Sequence, residues 1–175
     1  SNFTFGERMI TTDVQVVGLR ELDDALAQFS DKVAKKALDS ALSYAATPIV
    51  KEAKVKAALA NEPHEMVYGR AGNKVTVQPG LLKSSIRKRR LKKKELNELG
   101  VSAGTAIYIG KGTKQKLYPR YWVFVEYGTS KHAPAPFLRP AFDTKAHEAI
   151  ERFKAKLREN IEKEGGVIAG TGGNE

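Results

Sequence analysis

Phe142, Ala146, Ala149, Ile150, Phe153, Leu157 and Ile161 recur at i, i+4, i+7, i+8, i+11, i+15 and i+19. Only a helix brings that spacing to one face, and an apolar stripe of this length has to be covered by other elements. Pro140 suits the first turn of such a helix, where its missing N–H is not needed. Glu148 with Arg152 and Glu159 with Lys163 form i,i+4 pairs on its other faces. Gly165-Gly166 ends it, and the Gly-rich stretch 165–175 reads as a loose tail.

The N-terminal half is built to meet that stripe. Asp13-Val14-Gln15-Val16-Val17 alternates and then reaches Gly18, the pattern of a short opening strand. Leu19, Leu22, Leu26 and Phe29 follow at helical spacing, and Ser30-Asp31 introduces a longer helix. Val33, Ala37, Leu38, Ala41, Leu42, Ala45, Ile49 and Ala53 line one side of it. Alanine at so many of these positions predicts close approach to a neighbouring element. Pro48 cannot donate to the carbonyl of Tyr44, so a kink or a junction between two helices is expected there.

From Asn61 to Gly80 the periodicity fails. Asn61, Pro63, Gly69, Gly72, Asn73, Pro79 and Gly80 predict a loop, mobile in an isolated subunit, with a brief alternation at Lys74-Val75-Thr76-Val77. Three strands are expected beyond it: Leu81 to Leu91, Ala106 to Ile109, and Arg120 to Tyr127. The last is the strongest, being dense in aromatic and β-branched residues. Their short connections favour antiparallel order. The fold class expected is α+β: an antiparallel sheet of about four or five strands packed by N-terminal helices and a long C-terminal helix. Residues 1–8 read as a cloning remnant ahead of Met9, 9–164 as a single domain, and 61–80 as its mobile loop.

Charge is distributed unevenly. The net charge is +10, and eight Lys/Arg with no acid lie between Lys83 and Lys94, so nearly all of the excess belongs to one short segment. Arg87, Lys88, Arg89, Arg90, Lys92, Lys93 and Lys94 are therefore the candidate contacts to an acidic partner, protein or DNA. A run of this kind with no acid of its own repels itself. Recognised chemistry is scarce by comparison. The chain has no cysteine, which excludes thiolate–metal sites and disulfides and suits a reducing compartment. His64, His132 and His147 lack ligand spacing, Gly110-Lys111-Gly112-Thr113 lacks the spacing of a phosphate loop, and Ser84 and Ser85 have no nucleophile elbow around them. No cofactor, metal site, catalytic set or membrane span is read. Glu126 stands alone among aromatics and is expected to bridge to an arginine.

Three patterns occur in order: Gly18-Leu19-Arg20-Glu21-Leu22, then Pro79-Gly80-Leu81-Leu82-Lys83-Ser84-Ser85-Ile86, then Tyr121-Trp122-Val123-Phe124-Val125-Glu126-Tyr127-Gly128-Thr129 with Pro134-Ala135-Pro136-Phe137-Leu138-Arg139-Pro140-Ala141. This arrangement resembles the tail-component family of long-tailed bacteriophages, the neck or tail-completion proteins that join head to tail. The motif residues are Glu126, Tyr127, Gly128, Thr129, Pro136, Phe137, Leu138, Arg139 and Pro140, and their chemistry reads as fold specification. Gly128 can take a backbone angle that other residues resist, the prolines stiffen the connector, and Phe137 and Leu138 can anchor the last helix.

The resemblance implies a structural virion protein of the tail and neck, assembled in the host cytoplasm, with no enzymatic activity. It implies a homo-oligomer, a six-fold ring at the head-proximal end of the tail, touching the tail tube, the head connector and possible genomic DNA. The long 61–80 loop and the density of the basic run depart from the family's pattern. The competing reading is a basic nucleic-acid-binding module that neutralises phosphates; an enzyme such as a nuclease stands third.

Overall fold

A computed structural model describes residues 19–57, 62–68 and 72–168. The segment 13–17, expected as an opening strand, residues 1–8, and the tail beyond 168 lie outside the described residues. In chain order the elements are α1 (Arg20–Leu26), α2 (Asp31–Lys56), β1 (His64–Tyr68), β2 (Asn73–Val77), α3 (Leu81–Ser85), β3 (Ile86–Arg90), α4 (Lys93–Leu99), β4 (Thr105–Ile109), α5 (Trp122–Tyr127) and α6 (Leu138–Lys163).

The two long helices α2 and α6, of 26 residues each, form the frame. Their apolar stripes meet antiparallel. Ala37 and Ala41 lie with Leu157 and Ile161, Ala45 and Ile49 with Ala149, and Ala53 and Ala57 with Phe137 and Ala141. Asn160 Nδ2 donates to the Ala37 carbonyl at 3.0 Å, a polar tie across the pair. Alanine on one helix faces a larger side chain on the other: Ala37 and Ala41 of α2 meet Leu157 and Ile161, and Ala149 of α6 meets Ile49. The α1 residues Leu22, Ala25 and Leu26 close one end of this frame. There the chain beyond Gly165-Gly166 is still held: Ile168 is buried in the same cluster.

Pro48 is accommodated inside α2, which runs through it as one helix, so the expected junction between two helices is absent. Pro48 is itself buried. One residue before the carbonyl it cannot serve, the Ser43 carbonyl accepts from the Lys88 ammonium, which also donates to Thr47 Oγ1 at 2.8 Å.

The expected sheet of four or five strands is not formed. The described residues contain two separate antiparallel pairs, β1–β2 and β3–β4. The segment 61–80, read as a loop, carries the first hairpin, with His64 opposite Val77 and Tyr68 opposite Asn73. It was hidden because its face is barely apolar: Val77 is buried while Val67 is 58 % exposed. The hairpin is tied to the body by Gln115, whose Oε1 accepts from the Gln78 N–H at 3.0 Å, and by His64, edge-on to the Tyr121 ring at 5.8 Å. The segment Leu81 to Leu91 divides into α3 and β3. Gly80, at φ 85°, turns the chain into α3, and Leu81, Leu82 and Ile86 are all buried. β3 then pairs with β4, Ile86 opposite Ile109, above Ala53 and Ala57 of α2.

The largest correction is the aromatic segment. Residues 122–127 are a helix, not a strand. Burial separates the two periods: Trp122 is 5 % exposed, Phe124 59 % and Glu126 0 %. Strand alternation would place all three on one face, whereas helical spacing pairs Trp122 with Glu126 and turns Phe124 away. The Trp122 N–H donates to the Pro119 carbonyl at 3.0 Å, and that of Val125 to the Tyr121 carbonyl at 3.1 Å, which starts the turn. Trp122 Nε1 donates to the Tyr118 hydroxyl at 2.8 Å.

The close α2–α6 approach makes a prediction. Ala41 is fully buried against α6, so Ala41→Leu has no space to enter and should destabilise the fold by about 1–3 kcal/mol. Denaturant unfolding measures this, and a midpoint equal to the parent's would show that the helices can separate without loss.

Candidate functional site

Two places collect the functional residues expected from the sequence: the basic run on β3 and α4, and the motif that joins α5 to α6.

The basic run does not form one surface. Strand alternation sends Ile86 and Lys88 to the face that meets α2, and Arg87 and Arg89 to the opposite face. Lys88 is part-buried, and loss of water around its ammonium lowers its pKa. The Arg87 guanidinium donates to the Lys111 carbonyl at 2.6 Å. Arg89 forms a two-pronged bridge to Glu95 at 2.7 and 2.5 Å, with its guanidinium carbon 5.5 Å from the centre of the Tyr108 ring. Glu95 also accepts from the Lys92 N–H at 2.6 Å, which caps the first turn of α4. The hydrogen bond from Arg89, then that from Lys92, holds the Glu95 carboxyl down at about 2.

The run itself holds no acid, but the expectation that it lacks an acidic partner and repels itself is corrected. Glu95 lies just past its end and takes the central arginine. What remains outward is Arg90, Lys92, Lys93 and Lys94, all exposed. Lys94 reaches Glu98 at 3.8 Å with 87 % of its side chain in solvent, a pair of little energetic weight.

At the motif, the side chain of Glu126 is completely buried. Its Oε2 accepts from the N–H groups of Phe137 at 2.8 Å and Leu138 at 3.0 Å. Its Oε1 accepts from the Arg139 N–H at 3.1 Å and from Arg139 Nε at 3.1 Å. These backbone donors belong to the first turn of α6, where a helix has N–H groups with no partner of its own and a positive end to its dipole. The expected bridge from Glu126 to an arginine is present. The sequence did not signal the three backbone donors. Burial raises the pKa of the carboxyl, and the backbone hydrogen bonds from Leu138, Phe137 and Arg139 with the Arg139 side chain outweigh it, so the net shift is downward.

The rest of the motif supports this latch. Arg139 Nη2 donates to the Glu126 carbonyl at 3.0 Å, and its guanidinium carbon lies 4.9 Å from the centre of the Tyr127 ring. Gly128 has φ 76°, and a Cβ there would stand 2.9 Å from the ring Cδ and the nitrogen of Pro134. Thr129 Oγ1 accepts from the N–H groups of Lys131 and His132 at 3.2 and 3.0 Å, closing the turn. The Ala135 N–H donates to the Val125 carbonyl at 2.8 Å. Phe137 is fully buried beside Trp122, Leu82 and Ile86, while Leu138 packs at its edge. Pro136 and Pro140 are half-buried, bracketing the helix start. His132 and His147 are exposed on separate elements, and His64 is on β1.

Removing the Glu126 carboxylate leaves the buried or part-buried N–H groups of Phe137, Leu138 and Arg139 without an acceptor. Glu126→Ala should therefore cost about 3 kcal/mol, the upper part of the range for unsatisfied donors. Arg139→Ala keeps the backbone bonds and should cost about 1 kcal/mol or less. Equal losses in thermal melts of the two variants would contradict this ranking. The pH dependence has a fixed sign. Because the folded pKa of Glu126 is depressed, its contribution is complete above about pH 4.3, the unfolded value, and disappears as pH falls through the folded value. A Glu126→Gln protein should lack that part of the acid-induced drop, and an identical acid profile would count against it.

The family model described as "Bacteriophage HK97-gp10, putative tail-component" matches residues 20–128, more than half of the chain. The match runs from the start of α1 to Gly128 and so takes in Glu126 but stops short of its partners on α6. No curated protein and no solved structure matches the chain.

Proposed function

The chain belongs to the HK97-gp10-like family of bacteriophage tail components, and on that premise we propose that it is a structural virion protein that completes the head-proximal end of the tail. In this role several copies, six by the family resemblance, form a ring that meets the tail tube on one side and the head connector on the other. The protein works by docking, without catalysis. The observation that carries this reading is the family match over α1 to α5 together with the way the motif residues are used. Glu126, Gly128, Thr129 and Phe137 hold the α5–α6 corner, which is a scaffold's use of such residues.

The outward part of the basic run is the proposed contact to an acidic rim on an adjoining ring. Arg90, Lys92, Lys93 and Lys94 stand exposed around the start of α4, and their charges favour an anionic partner. A rim of protein suits this better than the genome, since a channel that gripped DNA tightly would hinder its passage. The inner members, Lys88 and Arg89, serve the fold instead.

Replacing Arg90, Lys92, Lys93 and Lys94 together by glutamine should therefore leave the melting temperature unchanged or raised and block joining of heads to tails. Infectious-particle yield in complementation measures the second effect. A normal yield would overturn the contact. Salt-dependent DNA binding by the parent protein, lost in this variant, would move the contact from the protein rim to nucleic acid.

A further inference from the structure

The latch on Glu126 turns the other side of α5 outward, and nothing in the subunit covers it among the described residues. Phe124 is 59 % exposed and Tyr127 42 %. Three residues apart on one helix, they are neighbours on its surface. The Arg139 guanidinium extends the patch over the Tyr127 ring. Aromatic residues and arginine are the types that anchor protein interfaces. Within residues 120–139 the exposed charges have one sign, Arg120, Lys131 and Arg139, the last bridged to the buried Glu126, which is the one acid of that segment.

We infer that this face of α5 docks on the outer face of α1 of a second copy of the chain, in a head-to-tail contact. α1 turns Leu22, Ala25 and Leu26 inward and leaves Glu21, Asp23 and Asp24 exposed with one base, Arg20, so its outer face is acidic in balance. Beside them Val167 is 73 % exposed, and its carbonyl accepts from Gln28 Nε2 at 3.2 Å. An acidic surface with an apolar knob thus complements a cationic surface with aromatic ones.

The two faces lie at opposite ends of α6. Glu126 holds the end at Leu138, whereas Leu157 and Ile161 pack on Leu22 and Leu26. At 1.5 Å per residue, the 26 residues of α6 separate these ends by about 39 Å. One copy therefore cannot bring its own two faces together, but each copy can offer one to either neighbour. Contacts between unlike faces close into rings or continue as filaments. This inference rests on the ring reading above and supplies its subunit contact.

The chain has no cysteine, so paired cysteines report the contact against a clean background. Ala27 and Ser130 are exposed beside the two faces. A protein carrying Ala27→Cys and Ser130→Cys, mixed with purified tails and a short bis-maleimide, should give a ladder extending past dimer on a denaturing gel. Each single-cysteine protein should stop at dimer at most. Adding Phe124→Ala, a change at an exposed site, should reduce the ladder several-fold. Charge provides a second arm that does not use cysteines. The Glu21→Lys/Asp23→Lys/Asp24→Lys protein should not self-associate, and mixing it with a protein carrying Lys131→Glu and Arg120→Glu should restore association through the reversed faces. Ring particles in negative stain with no ladder and no effect of charge reversal would overturn this contact and leave the ring reading standing. Absence of both rings and ladder would overturn both.

Discussion

Everything at the α5–α6 corner depends on one carboxylate kept ionised without water. Moving a bare carboxylate from water into a protein interior costs several kcal/mol unless donors replace the lost hydration. Glu126 receives three backbone N–H groups and a guanidinium nitrogen. These donors need a partner as much as the carboxylate does, since they belong to the first turn of a helix. The bond set fixes where α6 begins, and with it the line along which α6 crosses α2. It also sets the orientation of α5, because Trp122 enters the core on the same face as Glu126.

The frame that the corner starts is a contact between unequal surfaces. At one end α2 contributes the small Ala37 and Ala41 and α6 the larger Leu157 and Ile161, while in the middle Ile49 of α2 meets Ala149 of α6. A large side chain on one helix thus faces a small one on the other. On this frame the β3–β4 pair needs no further strands. Ile86 and Ile109 are buried against Ala53, Ala57, Phe137 and Trp122, so the apolar face of the pair is already covered by helices. The β1–β2 hairpin, attached through Gln115 and Tyr121, stands more in solvent.

Tertiary structure also divides the basic run by role. A +10 chain looks as though it carries a single cationic docking strip, yet strand alternation alone assigns its members to opposite sides of β3. Lys88 spends its donors on α2 next to Pro48, and Arg89 spends its own on Glu95. Uncommitted charge is left at Arg90 and around the start of α4. A second, weaker cationic region lies between positions 120 and 139, with three bases and one acid, and the whole-chain total hides it because acids on the helices offset it.

The amino-acid sequence by itself determined the two long helices, the α1 stripe, the β4 strand and the likeness to phage tail components. Each rests on a local signal: a 3.6-residue apolar period, a two-residue alternation, or residues in a fixed order. Gly128 and the Glu126–arginine bridge were legible too, since the first answers to backbone geometry and the second to charge. Only the tertiary structure decided that Trp122–Tyr127 coils instead of extending, that Lys88 turns inward, and that the strands form two pairs. Six residues make fewer than two helical turns, too few for a period to declare itself, and their β-branched and aromatic side chains favour a strand locally. What reverses that preference lies 11 to 13 residues further on, in the N–H groups of α6. They reward the helix, which puts Glu126 beside Trp122 in the interior, and their demand exists only once α6 has docked on α2.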